Sequence, residues 1–190
     1  PIALMVGTGR GATRGILIKN AQALELAGKI NVMILDKTGT ITEGKPRVNQ
    51  VISLADYTED EILQIAAMAE KKSEHPLAAA VVKSALEKFS TLNDPVTFSA
   101  FPGKGVEVLG RFTNRSGVIR EEIIQVGNFS WLGKNSEVKL SIREKIEKLE
   151  QTGNSVMLVN IAGRLEGIIA LADSIKSDSA SAISALQKIG

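Results

Sequence analysis

Asp36-Lys37-Thr38-Gly39-Thr40-Ile41-Thr42 sets a carboxylate, a cation, hydroxyls and a glycine side by side, directly after the apolar run Val32-Met33-Ile34-Leu35. A strand that delivers a carboxylate onto a small, hydroxyl-rich turn is one way to build a phosphate site. The Asp36 carboxylate can act as a nucleophile and take a phosphoryl group as an aspartyl-phosphate. Thr38, Gly39 and Thr40 can offer hydroxyls and backbone N–H groups to phosphate oxygens, Gly39 admits close backbone approach, and Lys37 adds positive charge. The plainer alternative is a strand-to-turn junction in which Asp36 caps a helix.

A second constellation lies downstream. Ser73-Glu74-His75-Pro76-Leu77 holds the only histidine of the chain. A histidine before a proline is, on its own, a cap or a surface residue. Phe101-Pro102-Gly103-Lys104-Gly105-Val106 is a glycine-flanked turn between strands, against whose backbone a flat ligand can lie. Val126-Gly127-Asn128 is a strand-end glycine followed by an amide side chain. Taken singly, both are hairpin punctuation. Near the start, Gly7-Thr8-Gly9-Arg10-Gly11 has the glycine density of a nucleotide fingerprint but the wrong spacing for G-x-G-x-x-G, and no strand of normal length precedes it. The alternative there is a helical stem whose small residues pack closely.

Composition narrows the classes. The 190 residues suffice for one large or two small domains, and the 44% hydrophobic content supports a proper core. Aromatics make up 4%, so Leu, Ile, Val and Ala must fill that core. A net charge of +2 with interspersed signs leaves no electrostatic footprint for nucleic acid. The absence of cysteine excludes disulfides, thiolate metal sites and a cysteine nucleophile, and one histidine excludes a histidine-rich metal site. No apolar run approaches the ~20 residues of a membrane span. The chain lacks a starting Met and shows no signal peptide, and it reads as a soluble piece excised from a longer protein.

The elements that must position these residues follow from periodicity. Gly15 to Lys19 reads as a short strand, and Asn20 caps a helix over Ala21 to Leu26 that Gly28 stops. Residues 31–36 form the nucleophile strand, Glu43-Gly44-Lys45-Pro46 a turn, and Val48 to Ser53 an exit strand. Thr58 or Asp60 opens a helix carrying Ile62, Ile65, Ala66 and Ala69 at helical spacing. Pro76 starts the next helix, with Leu77, Val81, Ala85 and Phe89 on one stripe. Residues 96–128 alternate as antiparallel strands with turns at Pro102-Gly103 and Asn114-Arg115-Ser116-Gly117. Ile142, Ile146 and Leu149 mark an amphipathic helix stopped by Gly153. Val156–Ile161 and Leu165–Leu171 form a hairpin around Ala162-Gly163, and Asp173 to Lys176 open a last helix over Ala180 to Lys188. This order implies an α/β platform with an inserted α+β domain: residues 1–50 lead into the platform, 51–165 form the insert, and 166–190 return to the platform.

In this order, the two constellations resemble the heavy-metal-transporting (type IB) P-type ATPases, whose Ser-Glu-His-Pro segment is peculiar to that subfamily; the resemblance covers essentially the whole chain. It implies a partial haloacid-dehalogenase-like phosphorylation domain interrupted by a nucleotide-binding domain with an antiparallel sheet flanked by helices. It places the adenine of ATP near Glu70 and His75, with Gly103 and Gly105 on one side and Gly127 and Asn128 on the other. The residue types agree: a neutral imidazole can stack on or hydrogen-bond to a purine, a carboxylate at Glu70 can accept the adenine amino proton, and glycines remove side chains that would block the ring. The resemblance further implies transfer of the γ-phosphoryl to Asp36, Mg²⁺ held by Asp36 and the Thr38 backbone carbonyl, and Thr40 as a donor to a phosphate oxygen. Asp173 and Lys176 match a hinge-side pair of that family, with a helix-cap Asp and a solvated Lys as the plain alternative.

The resemblance also separates this chain from its rivals. Related phosphatases carry a second Asp two residues after the nucleophile as general acid/base; Thr38 cannot do that work, so the phosphoenzyme should persist. The leading segment Pro1 to Ala12 resembles copper exporters, which implies Cu⁺ as cargo, membrane helices outside this chain and a location on the cytoplasmic side of a membrane. The piece by itself should bind adenine nucleotide without turnover. A phosphatase of the same superfamily, a zinc or cadmium exporter, and a non-enzymatic nucleotide sensor are the competing readings. The stretch around Arg111 to Arg120 looks like an extension of the family's hairpin.

Overall fold

Two-residue alternation in the second half of the chain builds one antiparallel sheet. A computed structural model describes residues 2–113, 118–135 and 139–189, with the backbone alone for Thr38, Lys134 and Asn135. The strands β1 (Thr42–Ser53), β2 (Thr97–Phe101), β3 (Gly105–Thr113), β4 (Ile119–Gly127), β5 (Ser155–Ile161) and β6 (Arg164–Ile175) lie in the order β1-β6-β5-β4-β3-β2, and every neighbouring pair is antiparallel. The helices are α1 (Ile2–Ala12), α2 (Ala21–Ala27), α3 (Glu59–Glu70), α4 (Pro76–Lys88), α5 (Phe129–Asn135), α6 (Leu140–Gln151) and α7 (Ser179–Ile189).

Successive strand side chains point to opposite faces. In β5, Met157, Val159 and Ile161 therefore join one apolar cluster and Leu158 another. The first cluster is closed by α3 and α4 through Ile62, Leu63, Ala66, Val81 and Ala85. On the other face α5 and α6 contribute Leu132 and Ile146. The α/β architecture with a helix-flanked antiparallel sheet is thus the one the sequence implies.

Local chemistry fixes the element ends. The Thr58 hydroxyl accepts from the Glu61 N–H at 3.2 Å, while the Glu61 carboxylate accepts from the Thr58 N–H at 2.7 Å, a reciprocal cap that starts α3. Pro76 occupies the first turn of α4, where its missing N–H costs nothing. Asn20 accepts from the Ala23 N–H at 2.7 Å and caps α2. Ala162 and Gly163, with φ of 51° and 80°, form the two-residue turn joining β5 to β6.

The chain divides into two compact units. Residues 37–177 form one, which holds the whole sheet and α3 to α6. Residues up to 36 and from 178 onward form the other, with α1, α2 and α7. The expected insert at 51–165 falls inside the larger unit, because β1 begins at Thr42 and β6 runs to Ile175.

Several expected elements differ. Residues 31–36 and 15–19 are not strands: no described strand completes a ladder with either, and without a ladder an apolar run stays extended coil. Ile34 is 94% exposed. Glu43 to Pro46 is no separate turn but an irregularity within β1, where the register with β6 shifts between Thr42 and Pro46 and Gly44 takes φ 70°. Asp173 to Ile175 end β6 instead of opening a helix, and α7 starts at Ser179. Gly7 to Gly11 lies inside α1, which removes the phosphate-loop reading. The expected turn at Asn114 to Gly117 lies outside the described residues.

Candidate active site

Four segments converge at one end of the sheet: the end of α3 with its connection to α4, the β2–β3 turn, the β4–α5 junction, and the start of β5. They enclose a cleft of about 440 Å³ that Glu70, His75, Gly103, Gly105, Gly127 and Asn128 all line, with Ser73, Phe101, Lys104, Val156 and Met157. The six residues picked from sequence are therefore brought together.

Glu70 closes α3 and is 3% exposed. Burial pushes its carboxyl up to about 7, against a smaller opposing effect of a hydrogen bond with Ser73. His75 is the N-cap of α4: its Nδ1 accepts from the Leu77 N–H at 3.2 Å. An accepting Nδ1 places the ring proton on Nε2, so the exposed side of the imidazole presents a donor.

Two of the glycines also carry a packing demand of their own. Gly105 and Gly127 face each other across β3 and β4. A Cβ on Gly105 would lie 2.1 Å from the Val126 carbonyl oxygen, and one on Gly127 would lie 2.5 Å from the Lys104 oxygen and 2.6 Å from the Trp131 ring. Both are therefore demanded by the close approach of neighbouring protein atoms, whatever ligand the cleft takes. Gly103 does face open space, and its φ of 70° suits the turn.

Asn128 is likewise committed to the scaffold. Its Nδ2 donates to the Gly103 carbonyl at 2.7 Å, and its Oδ1 accepts from the Trp131 N–H at 3.0 Å and the Ser130 hydroxyl at 2.7 Å. It thereby caps α5, a helix that the sequence reading missed, and holds the β2–β3 turn in place. Trp131, also missed, packs on Phe101 with ring centroids 5.2 Å apart and backs the cleft behind Gly127.

The other constellation begins where the extended stretch ends at Asp36. Lys37–Ile41 winds as one wide helical turn, with Gly39 at φ 78°. Lys37, Thr38 and Thr40 lie in that turn; the Thr38 side chain is outside the described residues. The next residue, Thr42, is buried. Its hydroxyl accepts from the Gly39 N–H at 3.2 Å and donates to the Asp173 carboxylate, with the Lys37 carbonyl 3.0 Å away. Asp173 also accepts from the Gly44 and Lys45 N–H groups at 3.0 and 2.9 Å. Lys176 completes the staple: Nζ donates to the Gly39 carbonyl at 2.7 Å and its backbone N–H to the Ile41 carbonyl at 3.0 Å. Burial opposes ionisation of Asp173, but the hydrogen bonds from Thr42, Lys45 and Gly44 and the charge of Lys37 outweigh it and hold the carboxyl below its usual range. Asp173 is thus a clamp on the turn, not a helix cap.

Lys45, Arg47 and Lys83 line a groove of about 430 Å³ between the start of β1 and α4. Among the described residues no three His, Cys, Asp or Glu side chains gather as a metal cage.

The profile of the haloacid dehalogenase-like hydrolases matches residues 30–190. A copper-transporting P-type ATPase of Rhizobium leguminosarum bv. viciae is 40% identical over 190 residues, and a silver exporting P-type ATPase of Salmonella typhimurium is 38% identical; each alignment takes in 100% of this chain and 22% of the relative. The chain thus spans about a fifth of the length of these relatives. A zinc-transporting PIB-type ATPase structure in an E2.Pi state superposes with a TM-score of 0.69 at 32% identity, covering 99% of this chain and 29% of the other. The catalytic domain of the CPx-ATPase CopB-B shares the fold with a TM-score of 0.65 at 24% identity, over 96% of this chain and 60% of that one.

Proposed function

This chain belongs to the haloacid dehalogenase-like hydrolases and, among them, to the heavy-metal P-type ATPases, and from that premise we propose that it is the ATP-binding, phosphoryl-accepting segment of a copper exporter. The observation that carries this reading is the cleft that gathers Glu70, His75 and the Gly103 turn. A buried carboxyl and an imidazole whose Nε2–H points outward offer hydrogen-bonding partners for a purine edge, and Phe101, Val156 and Met157 supply apolar surface for its faces. The nearby cations Lys45, Arg47 and Lys83 provide charge that suits a polyphosphate.

In this reading a carboxylate oxygen of Asp36 bonds to the γ-phosphorus as the bond from that phosphorus to the β–γ bridging oxygen breaks. ADP leaves, and water later cleaves the acyl-phosphate to restore the carboxylate and release phosphate. The shape of the turn that follows the acceptor in sequence is maintained by Thr42, Asp173 and Lys176. The Asp36 carboxylate and the Thr38 carbonyl are hard oxygen donors of the kind Mg²⁺ takes with water and phosphate oxygens; when bound, Mg²⁺ supplies charge neutralisation. A threonine at position 38 offers no general base, which favours a lasting phosphoenzyme over rapid hydrolysis.

No helix among the described residues is long and apolar enough to cross a membrane. The chain covers 22% of each transporting relative, and the ion path and membrane attachment are assigned to the part of such a protein that it does not cover. Cu⁺ is the proposed cargo, in line with the copper and silver relatives; a zinc cargo is the second reading, favoured by the zinc-transporting structural neighbour. In the full-length transporter, Asp36→Asn should abolish the acid-stable phosphoenzyme formed from ATP, and phosphorylation should depend on Cu⁺ more than on Zn²⁺. His75→Gln should weaken ATP binding without unfolding the chain. Persistence of the phosphoenzyme in Asp36→Asn would sink the assignment.

A further inference from the structure

Glu70 is enclosed at the floor of the cleft with no cation to balance it. On α3 itself, Lys71 is turned away to Asp94 at 2.8 Å and to the Leu92 carbonyl at 3.0 Å, and Lys72 is exposed. The α3–α4 connection and α4 bring Glu74, His75, Lys83 and Glu87 to the clefts that Glu70 borders, and the β2–β3 turn brings Lys104. The β4 and β5 segments bring no charged side chain there. None of these cations forms an ion pair with Glu70; its side-chain partner is the Ser73 hydroxyl. A carboxyl enclosed in this way, without a counter-charge, favours its neutral form.

We propose that Glu70 meets the nucleotide base as a carboxylic acid, its hydroxyl donating to N1 of adenine while its carbonyl oxygen accepts from the 6-amino group, so that the proton on Glu70 sets which base the cleft prefers. The inference rests on the ATP-binding reading of the cleft. The donor–acceptor patterns decide the sign. Adenine presents an acceptor at N1 beside an amino donor, which matches one O–H and one C=O. A carboxylate has acceptors alone: it keeps the bond to the amino group and sets a lone pair against N1. Guanine presents donors at N1 and at the 2-amino group, which a carboxylate accepts together. Loss of the Glu70 proton should therefore weaken ATP and strengthen GTP.

The test is calorimetric titration of the chain with ATP and with GTP between about pH 6 and pH 8.5, for wild type and Glu70→Gln. Both nucleotides carry the same triphosphate, so its titration cancels in the ratio of affinities, and Glu70→Gln isolates the part of any pH dependence that belongs to Glu70. With the carboxyl half-titrated near 7, the neutral fraction falls about eightfold from pH 6.5 to pH 8, and the ATP:GTP affinity ratio of wild type should fall by at least that factor. Glutamine, with one donor and one acceptor fixed, should keep ATP binding and give a flat ratio. A wild-type ratio that is flat or rises with pH overturns the inference, and does so without any variant. No measurable binding of either nucleotide would instead overturn the cleft as a nucleotide site, and the inference with it.

Discussion

Asn128→Ala separates a scaffold residue from a ligand contact. The side chain makes three hydrogen bonds: to the Gly103 carbonyl, from the Trp131 N–H, and from the Ser130 hydroxyl. Loss of the helix cap costs about 1 kcal/mol, and the two remaining bonds, both near the surface, add about 0.5 kcal/mol each. The total of about 2 kcal/mol corresponds to a drop in Tm of about 4–8 °C for a chain of this size. Asn128→Asp keeps an acceptor for Trp131 and Ser130 but turns an acceptor toward the Gly103 carbonyl, so it should lose about 1 kcal/mol. Urea unfolding followed by the emission of Trp131, the only tryptophan, measures both. ATP titration of the same variants should show weaker binding that tracks the loosened β2–β3 turn. If Asn128→Ala keeps wild-type stability within about 0.5 kcal/mol while ATP binding disappears, the amide acts on the nucleotide and the scaffold argument is wrong.

Three further outcomes follow from the same geometry. Gly105→Ala would drive a methyl to 2.1 Å from the Val126 oxygen, so thermal melts should show a loss of at least about 3 kcal/mol, while Gly103→Ala, strained in φ alone, should cost about 1 kcal/mol. Asp173 has a lowered proton affinity when folded, so its contribution is present above the ordinary carboxylate range and lost as acid protonates it; Asp173→Ala should speed amide exchange at Gly44 and Lys45 about tenfold near neutral pH, with a smaller difference in strong acid. Glu70 has the opposite sign: folded, it holds its proton up to about 7 against 4.5 in the unfolded chain, so its contribution is full below 4.5 and falls as pH rises to 7. Glu70→Gln should therefore match wild type at about pH 4 and exceed it by about 3 kcal/mol at pH 8 in denaturant titrations.

Periodicity and turn chemistry made most of the larger unit legible. The stripe on α4, the cap at Thr58, Pro76 at a helix start and the Ala162-Gly163 hairpin are local signals, and local signals survive folding. Partner-dependent features were not legible in the same way. Val32 to Leu35 has strand composition, yet a strand exists only with a neighbour, and none is present among the described residues. The cleft residues were identifiable by type and order, but their packing duties were not: Gly105 and Gly127 are each required by the close approach of neighbouring protein atoms, and Asn128 caps a helix too short to announce itself by period. Asp173 lies 131 positions from Thr42, and no window along the chain links the two.

Thr42 faces Ile175 across the β1–β6 ladder, so the chain enters and leaves the larger unit side by side. Tension that draws the flanking segments apart would load this ladder as a zipper, one bond at a time, not as a shear of many bonds at once. The first bonds such a pull meets are those of Lys176 to Gly39 and Ile41, followed by those of Asp173 to Gly44 and Lys45. The staple that shapes the turn after Asp36 is therefore also the stop on that zipper. The same adjacency of entry and exit allows residues 37–177 to be grafted into a loop of another protein without straining the join.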